Sequence, residues 1–219
     1  KVATLWIRDS VVSASYHCVL SRQVDNVRMR KVILASASRW RKEVFEKSRI
    51  PFVVETSDYV EDMDPHMSPK RLARMLAEGK AQSVAIRHKS AVVIGADVFA
   101  EYDGKKLGKP ITPQKAKQML TLLSGKTHLV YTGYCIIDAK NGKKKSGVVV
   151  TKVTFRKLAR EEIDAYVATK EPLAVAGAYA IQKGAASFCT KVVGDYYAIV
   201  GFPLSRIVEE LRDFGISAD

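Results

Sequence analysis

Asp97 has the surroundings of a reactive acid. It comes after the apolar segment 91–94 and the small residues Gly95 and Ala96, and Lys109 stands twelve positions later. The apolar segment predicts a buried strand whose end at Gly95 delivers the carboxylate into a site, and small neighbours let a ligand or metal approach the backbone closely. A capping aspartate in a turn would have the same local sequence. Other parts of the chain must therefore distinguish a catalytic acid from a structural one.

A phosphate-binding pattern follows the strand predicted over 31–35. The serines Ser36 and Ser38 come next, and Ser38 is a suitable N-cap for a helix that begins with Arg39 and includes Arg41. Unpaired amide groups and the positive end of the helix dipole favour an anion at such a helix start. The two arginines would add charge-assisted hydrogen bonds. An ordinary capped helix with solvated arginines fits the same residues.

Two further segments have the residue types of a ligand site. Segment 58–64 is acidic in a cation-rich chain and includes Glu61, Asp62 and Asp64. These carboxylates could hold a divalent metal or form a solvated loop. Segment 176–184 is rich in small residues and predicts a site-lining loop, in which the Gln182 carboxamide offers paired donor and acceptor atoms suited to a nucleobase edge.

Hydrophobic periodicity and turn residues predict the elements that hold these side chains. The predicted strands are 31–35, 52–55, 91–95, 127–138, 148–155, 188–193 and 196–200, and the predicted helices begin near 39, 69, 113, 161 and 204. Asn141 and Gly142 predict a tight turn between two of the strands, and hence an antiparallel pair. The remaining order alternates, which is typical of an α/β fold.

Composition limits the class of protein. With 219 residues, 47% of them hydrophobic, the chain is long enough for a full core and most simply forms one domain. The net charge of +13 predicts affinity for anions, whether nucleic acid, membrane surface or phosphorylated ligand. Apolar segments of the roughly 18 residues that a membrane helix requires are absent from the sequence, which predicts a soluble protein.

The N-terminal segment 1–30 differs in composition from the rest of the chain. It has few acidic residues, several arginines and several serines, and we interpret it as an extension preceding a single domain over 31–219. The same composition occurs in organelle transit peptides, although an amphipathic pattern is lacking. The dispersed cysteines Cys18, Cys135 and Cys189 predict neither a disulfide framework nor a structural zinc site. We therefore expect a reducing compartment, the cytoplasm, with organellar targeting as the alternative.

Taken in order, several short motifs resemble those of the Maf family of nucleotide pyrophosphatases, also called septum formation inhibitor proteins. The resemblance extends from about Lys31 to Gly215. The motifs are Leu34-Ala-Ser-Ala-Ser38, Lys80-Ala81, Ile94-Gly-Ala-Asp97, Gly108-Lys-Pro110, Leu123-Ser-Gly-Lys-Thr-His128, Tyr131-Thr-Gly133, Ala176-Gly-Ala-Tyr179, Ile181-Gln182 and Gly201-Phe-Pro-Leu204. The resemblance implies a Maf or inosine triphosphatase-like α/β fold, with a mixed, elongated central sheet flanked by helices and two lobes with a cleft between them.

The resemblance also implies an activity and a set of roles. The activity is metal-dependent hydrolysis of a nucleoside triphosphate to monophosphate and pyrophosphate, by a homodimer. Asp97 would be the catalytic acid, acting as general base or metal ligand, and Glu61 would help it hold Mg²⁺ or Mn²⁺. The phosphates would be bound by four residues: Ser36, Arg41, Lys80 and Lys109. Water attack on phosphorus needs a cation and an oriented water, which agrees with these residue types.

The choice of base rests on Trp40 and Gln182. Trp40 resembles the subfamily that acts on 7-methyl-GTP, where an indole stacks on a cationic base, whereas the sequence around Gln182 resembles the dTTP/UTP subfamily. We favour dTTP and UTP, together with modified pyrimidine nucleotides, because a carboxamide is a specific reader and a stacking tryptophan accepts any base. 7-methyl-GTP is the alternative substrate.

A non-catalytic, nucleotide-binding regulator of cell division is a competing function. A binding module has no use for a general base beside a metal site, which favours the enzyme. Aromatic-rich basic motifs of RNA- or DNA-binding modules are absent from the sequence, so a nucleic-acid partner is not expected. The enzyme hypothesis predicts that Glu61, Lys80, Asp97 and Lys109 converge on one cavity.

Overall fold

A single mixed sheet organises the protein. The computed structural model describes residues 30–63 and 66–217. In this part of the chain the strands are β1 Val32–Ala35, β2 Val53–Glu55, β3 Val92–Tyr102, β4 Lys105–Leu107, β5 Thr127–Asp138, β6 Lys144–Phe155 and β7 Cys189–Val193. They form a seven-stranded sheet of order β2–β1–β3–β5–β6–β7, with β4 paired to β3.

Six α-helices of the described residues accompany the sheet: α1 Arg39–Glu46, α2 Pro69–Ala85, α3 Pro113–Leu123, α4 Arg160–Ala168, α5 Tyr196–Val200 and α6 Leu204–Leu211. Strand β1 runs parallel to both β2 and β3, while the long strands β3, β5 and β6 pair antiparallel. The antiparallel pair expected around Asn141 and Gly142 is therefore present as β5 and β6.

Alternation along β1 shows how the sheet is covered on both faces. Val32 and Leu34 belong to the cluster with Phe45 of α1 and Leu211 of α6. Their neighbours Ile33 and Ala35 belong to the cluster with the alanines of α2. Successive side chains of a strand point to opposite faces, so α2 covers one face and α1 and α6 the other. Strands buried on both faces have the continuous apolar sequence from which β1 was predicted.

The strand that carries Asp97 is longer than predicted. The small residues at 95 and 96 suggested a strand end, but β3 continues to Tyr102 and pairs with β5 from Val92 to Glu101. Asp97 is thus a mid-strand residue, paired across the sheet with Gly133. Backbone pairing with a full-length partner overrides the weak strand preference of Gly and Ala. On its other side β3 extends beyond the end of β1, since the last pair between these two strands is Leu34 with Ile94.

The strand predicted over 196–200 is wrong. These residues form α5, because Asp195 caps them: its Oδ1 accepts from the backbone N–H of Tyr197 at 2.8 Å and of Ala198 at 3.2 Å. A side-chain cap satisfies the free amides of a first turn and favours helix over strand. The short strand β4 was not predicted; it pairs back on β3 through the turn at Asp103 and Gly104.

The α/β class with a mixed sheet flanked by helices is confirmed, while the division into two lobes stays a prediction. Of the extension predicted over 1–30, only Arg30 belongs to the described residues, and Cys18 lies outside them. The guanidinium of Arg30 donates to Asp138 and to the Phe214 carbonyl. In the described part of the chain, Cys135 and Cys189 are free thiols, and none of its helices has the length and apolar character needed to cross a bilayer.

Candidate active site

One cavity collects the residues singled out in the sequence. It has a volume of about 800 Å³ and lies where β1 ends beside the continuing β3. The predicted site residues that line it are Ser36, Trp40, Arg41, Glu61, Lys80, Asp97, Lys109 and Gln182. The expected convergence of separate motifs is therefore observed. The cavity obeys the rule that open α/β sheets hold ligands beyond the carboxyl ends of their parallel strands.

Asp97 lies at the bottom of the cavity, with only 5% of its surface exposed. Its Oδ1 atom accepts a hydrogen bond from the Lys80 ammonium and another, at 3.4 Å, from Nη2 of Arg41. No described residue donates to Oδ2. Because this oxygen does not belong to the buried atoms that lack a partner, it is accessible from the cavity. One oxygen is thus held by cations while the other remains available to a ligand or water.

Lys80 joins the two carboxylates of the site. It lies on α2 with 8% of its surface exposed, and its Nζ also contacts Oε1 of Glu61 at 2.7 Å. Burial alone would raise the pKa of Glu61, but the hydrogen bond from Lys80 and the charges of Lys80, Lys109 and Arg41 outweigh it and lower that pKa below its usual value. Glu61 is therefore a carboxylate at neutral pH.

Arg41 connects the serine-containing turn after β1 with Asp97. Its Nε donates to the Gly201 carbonyl at 3.0 Å, and its Nη1 donates to Ser36 Oγ at 3.3 Å. The backbone N–H of Ser38 donates to the same hydroxyl at 3.1 Å, and Ser38 caps α1 as predicted. The guanidinium is thereby fixed in one orientation with its positive charge facing the cavity.

Close packing of α2 on the sheet brings Lys80 to Asp97. A Cβ at Gly95 would lie 2.4 Å from the Ala77 carbonyl oxygen, and a Cβ at Gly133 would lie 1.9 Å from that of Ala73. Both distances are far below contact, so only glycine permits this approach of helix to strands. The glycines determine the depth at which the Lys80 side chain enters the site.

The residues present fit a divalent cation bound in part by substrate. Glu61 and Asp97 supply carboxylate oxygens at the Lys80 ammonium, while the described residues contain no cluster of three or more His, Cys, Asp or Glu side chains arranged for a metal. Mg²⁺ is commonly held by one or two carboxylates together with substrate phosphates and waters. Of the acidic segment, Asp62 is exposed and Asp64 lies outside the described residues.

Trp40 and Gln182 also line the cavity. The guanidinium carbon of Arg39 lies 4.2 Å from the centroid of the Trp40 ring, and Nζ of Lys183 lies 4.9 Å from it. Arg39, which the sequence analysis places near an anion, lines the cavity and contacts the indole. The segment around Gln182 lines the cavity, as expected, through Ala176, Tyr179 and Ala180.

Tyr179 and His128 received no role from the sequence. Tyr179 lines the cavity, and its hydroxyl lies 2.9 Å from Nε2 of His128, a residue with 1% exposure on β5. Burial lowers the pKa of His128 to about 4, so the imidazole is neutral. The available signal was a histidine in a strand of otherwise apolar and small residues. Lys106, near the predicted Lys109, also lines the cavity.

The sequence matches a known family over most of its length. The model of Maf-like proteins matches residues 31–214. A Bacillus mycoides protein named dTTP/UTP pyrophosphatase is 47% identical over 186 residues, which are 85% of this chain and 96% of that protein. A Bacillus cereus protein of the same name is 48% identical over 188 residues, 86% of this chain and 97% of that protein.

A solved structure, that of the Staphylococcus aureus Ham1 protein, has a TM-score of 0.36 and 14% identity, covering 57% of this chain and 72% of that chain. That likeness is too low to support a conclusion. The family match and the identities above are decisive by themselves, because they span the strands, helices and cavity residues already described. The chain belongs to the Maf family.

Proposed function

We propose that this protein is a nucleoside triphosphate pyrophosphatase that hydrolyses dTTP and UTP to the monophosphate and pyrophosphate. The observation that carries the proposal is the contact of Asp97 with two cations, Lys80 and Arg41, at the bottom of the cavity that also includes Gln182. The name dTTP/UTP pyrophosphatase of relatives at 47–48% identity supports the choice of substrate.

In the proposed reaction a water molecule attacks the α-phosphorus. Oδ2 of Asp97 accepts the proton of that water, the new P–O bond forms, and the bond between the α-phosphorus and the bridging oxygen breaks to release pyrophosphate. Lys80 and Arg41 hold the Asp97 side chain in place, since both donate to its other oxygen. General base catalysis of this kind contributes about 10²- to 10⁴-fold to a rate.

The phosphates bind to the basic wall of the cavity. Arg41, Lys80 and Lys109 offset the negative charge that grows on the phosphate oxygens, and the hydroxyl of Ser36 adds a hydrogen bond. The divalent cation, Mg²⁺ or Mn²⁺, would be held by Glu61 and Asp97 and would supply further charge neutralisation at the phosphates.

Gln182 would read the base. The imide edge of uracil and thymine presents a donor beside an acceptor, which is the complement of a carboxamide. A site built for hydrogen bonding to such an edge discriminates strongly against bases that leave it unpaired. A homodimer belongs to the same proposal, and light scattering of the purified protein would test it.

The test is pyrophosphate release from dTTP, UTP, 7-methyl-GTP and the common triphosphates, with and without Mg²⁺ or Mn²⁺. We expect metal-dependent turnover with the highest kcat/KM for dTTP and UTP, and a loss of about 10²- to 10⁴-fold in kcat for Asp97→Asn. Asp103→Asn, in the exposed turn after β3, is the matched control and should retain wild-type activity.

Retained turnover in a folded Asp97→Asn variant would remove Asp97 from the chemistry. Binding of nucleotides by the wild type without hydrolysis of any of them would contradict the enzyme and support the regulatory binding module.

A further inference from the structure

Two cations lie close to the ring of Trp40, which lines the cavity. Trp40 is half-buried in the first turn of α1, with the Arg39 guanidinium carbon 4.2 Å and the Lys183 ammonium 4.9 Å from its ring centroid. Cations within about 6 Å of an aromatic face are attracted by the ring quadrupole. Lys183 directly follows Gln182, so its side chain links the base-reading segment to α1.

The two cations differ in their counter-charges. Arg39 is paired with Glu43, whose Oε1 lies 3.5 Å from Nε. Lys183 has no carboxylate within ion-pair distance among the described residues. Within this part of the chain, the Trp40 ring is the aromatic partner that its ammonium contacts. A base that contacts Trp40, which lines the cavity, would lie near the exposed Lys183, whose charge has no carboxylate partner among the described residues.

We propose that Lys183 is a specificity-determining residue that excludes bases carrying a positive charge. The inference rests on the proposed function and adds a specificity residue to its base-binding site. Trp40 alone would favour a cationic base such as 7-methylguanine, because an indole attracts cations. The ammonium of Lys183 already contacts the indole ring and would repel a second cation there. A neutral pyrimidine meets no such repulsion. The chain thus retains a stacking tryptophan while favouring neutral bases.

A matched pair of nucleotides tests this charge effect. GTP and 7-methyl-GTP differ only in the methyl group and the positive charge it creates. In Lys183→Met, which keeps the length of the side chain but removes its charge, the ratio of kcat/KM for 7-methyl-GTP to that for GTP should rise about three- to tenfold. In Lys183→Arg, which keeps the charge, the ratio should stay within about twofold of wild type.

Two controls separate charge at the base from charge elsewhere. Lys191→Met removes an exposed cation of β7 that does not line the cavity, and it should leave the ratio unchanged. Calorimetric binding of GMP, 7-methyl-GMP and UMP gives the same comparison without turnover. The dissociation constant of 7-methyl-GMP relative to GMP should fall about three- to tenfold in Lys183→Met.

The outcomes distinguish this inference from the function on which it rests. Nucleotide binding or turnover with the same 7-methyl-GTP to GTP ratio in wild type and Lys183→Met would overturn the role of Lys183 alone. An equal rise of the ratio in Lys191→Met would also overturn it, because the effect would then come from overall charge. Wild-type protein that binds none of these nucleotides would overturn the proposed function itself.

Discussion

At the scale of single residues, Arg41 connects three hydrogen-bond acceptors at the cavity. With 9% of its surface exposed, it contacts the Gly201 carbonyl, Ser36 and Asp97 through three different nitrogens. A guanidinium is a planar fork with donors in fixed directions, so it can serve three acceptors at once. An ammonium of similar charge cannot reach all of them.

Arg41→Lys should therefore impair both binding and stability although the charge is retained. We expect a free energy of unfolding lower by about 1–3 kcal/mol, because buried acceptors lose their donors. We also expect KM for UTP to increase about tenfold, since one charge-assisted contact to phosphate is lost or misplaced. Urea denaturation and steady-state kinetics measure the two effects.

Lys42→Ala is the control at the neighbouring position. Lys42 is exposed and contacts Glu46 at 3.7 Å, an interaction expected to contribute no more than about 0.5 kcal/mol. Wild-type values in both measurements for Arg41→Lys would show that positive charge alone, without the fork geometry, is sufficient at this position.

At the scale of secondary structure, the site depends on how closely α2 approaches β3 and β5. Ala73, Ala77 and Ala81 are fully buried in the face that α2 turns to the sheet, and Gly95 and Gly133 lie opposite them. Small residues on both sides bring Lys80 within contact of Asp97. The sequence pattern predicted the helix and the first part of the strand but contained no information about their separation, since periodicity identifies a buried face and not its partner.

Gly133→Ala should disturb this packing. The added Cβ would lie 1.9 Å from the Ala73 carbonyl oxygen, so backbone must move. We expect a loss of stability of about 1–3 kcal/mol from overpacking, together with reduced kcat because Lys80 and Asp97 separate. Thermal unfolding and pyrophosphate release measure the two.

Gly142→Ala provides the comparison. Gly142 has a φ of 74° in the β5–β6 turn, and its Cβ would meet no atom of the described residues within 4 Å. We expect a loss of about 1 kcal/mol from backbone strain alone and unchanged kcat. Equal effects of the two substitutions would show that helix-to-sheet distance does not control the site.

At the scale of the whole molecule, the buried His128 makes the free energy of unfolding depend on pH under acidic conditions. Its ring packs against Phe155 and Tyr179 with centroids 5.1 and 5.4 Å away, and its Nδ1 has no hydrogen-bond partner in the described part of the chain. Burial lowers the pKa of His128 from 6.5 to about 4. The unfolded chain therefore binds this proton at a higher pH than the folded protein does.

The sign of the pH effect comes from linkage. Above about pH 6.5 the imidazole is neutral in both states and contributes no pH dependence; between about pH 6.5 and 4 the free energy of unfolding should fall by about 3 kcal/mol in total, because only the unfolded state is protonated. Below about pH 4 this contribution stays constant. Urea denaturation at a series of pH values measures the slope.

His128→Gln removes the titratable imidazole and leaves a carboxamide near the Tyr179 hydroxyl. Its slope between about pH 6.5 and 4 should be shallower than that of the wild type, even though its stability at neutral pH is lower. Parallel curves for the two proteins would mean that His128 is protonated in the folded state and that the buried site does not exclude the charge.

Local patterns in the sequence were sufficient for most elements, while the roles of the site residues were taken from the family resemblance. The capped helix after β1, the α2 helix with its proline start, the hairpin at Asn141 and the acid Asp97 were all predicted, because caps, turns and periodicity depend on neighbours in the chain. Pattern failed at 196–200, where the Asp195 cap outweighed β-forming residues.

Only the tertiary structure decided which groups meet. The bridge from Lys80 to Asp97 and Glu61, the three contacts of Arg41, and the approach of Lys183 to Trp40 all join residues distant in sequence or on different elements. Such contacts arise from strand pairing and from the close packing that glycines allow. The amino-acid sequence supplies the charges for phosphate chemistry, and the fold brings a particular oxygen, ring and ammonium into contact.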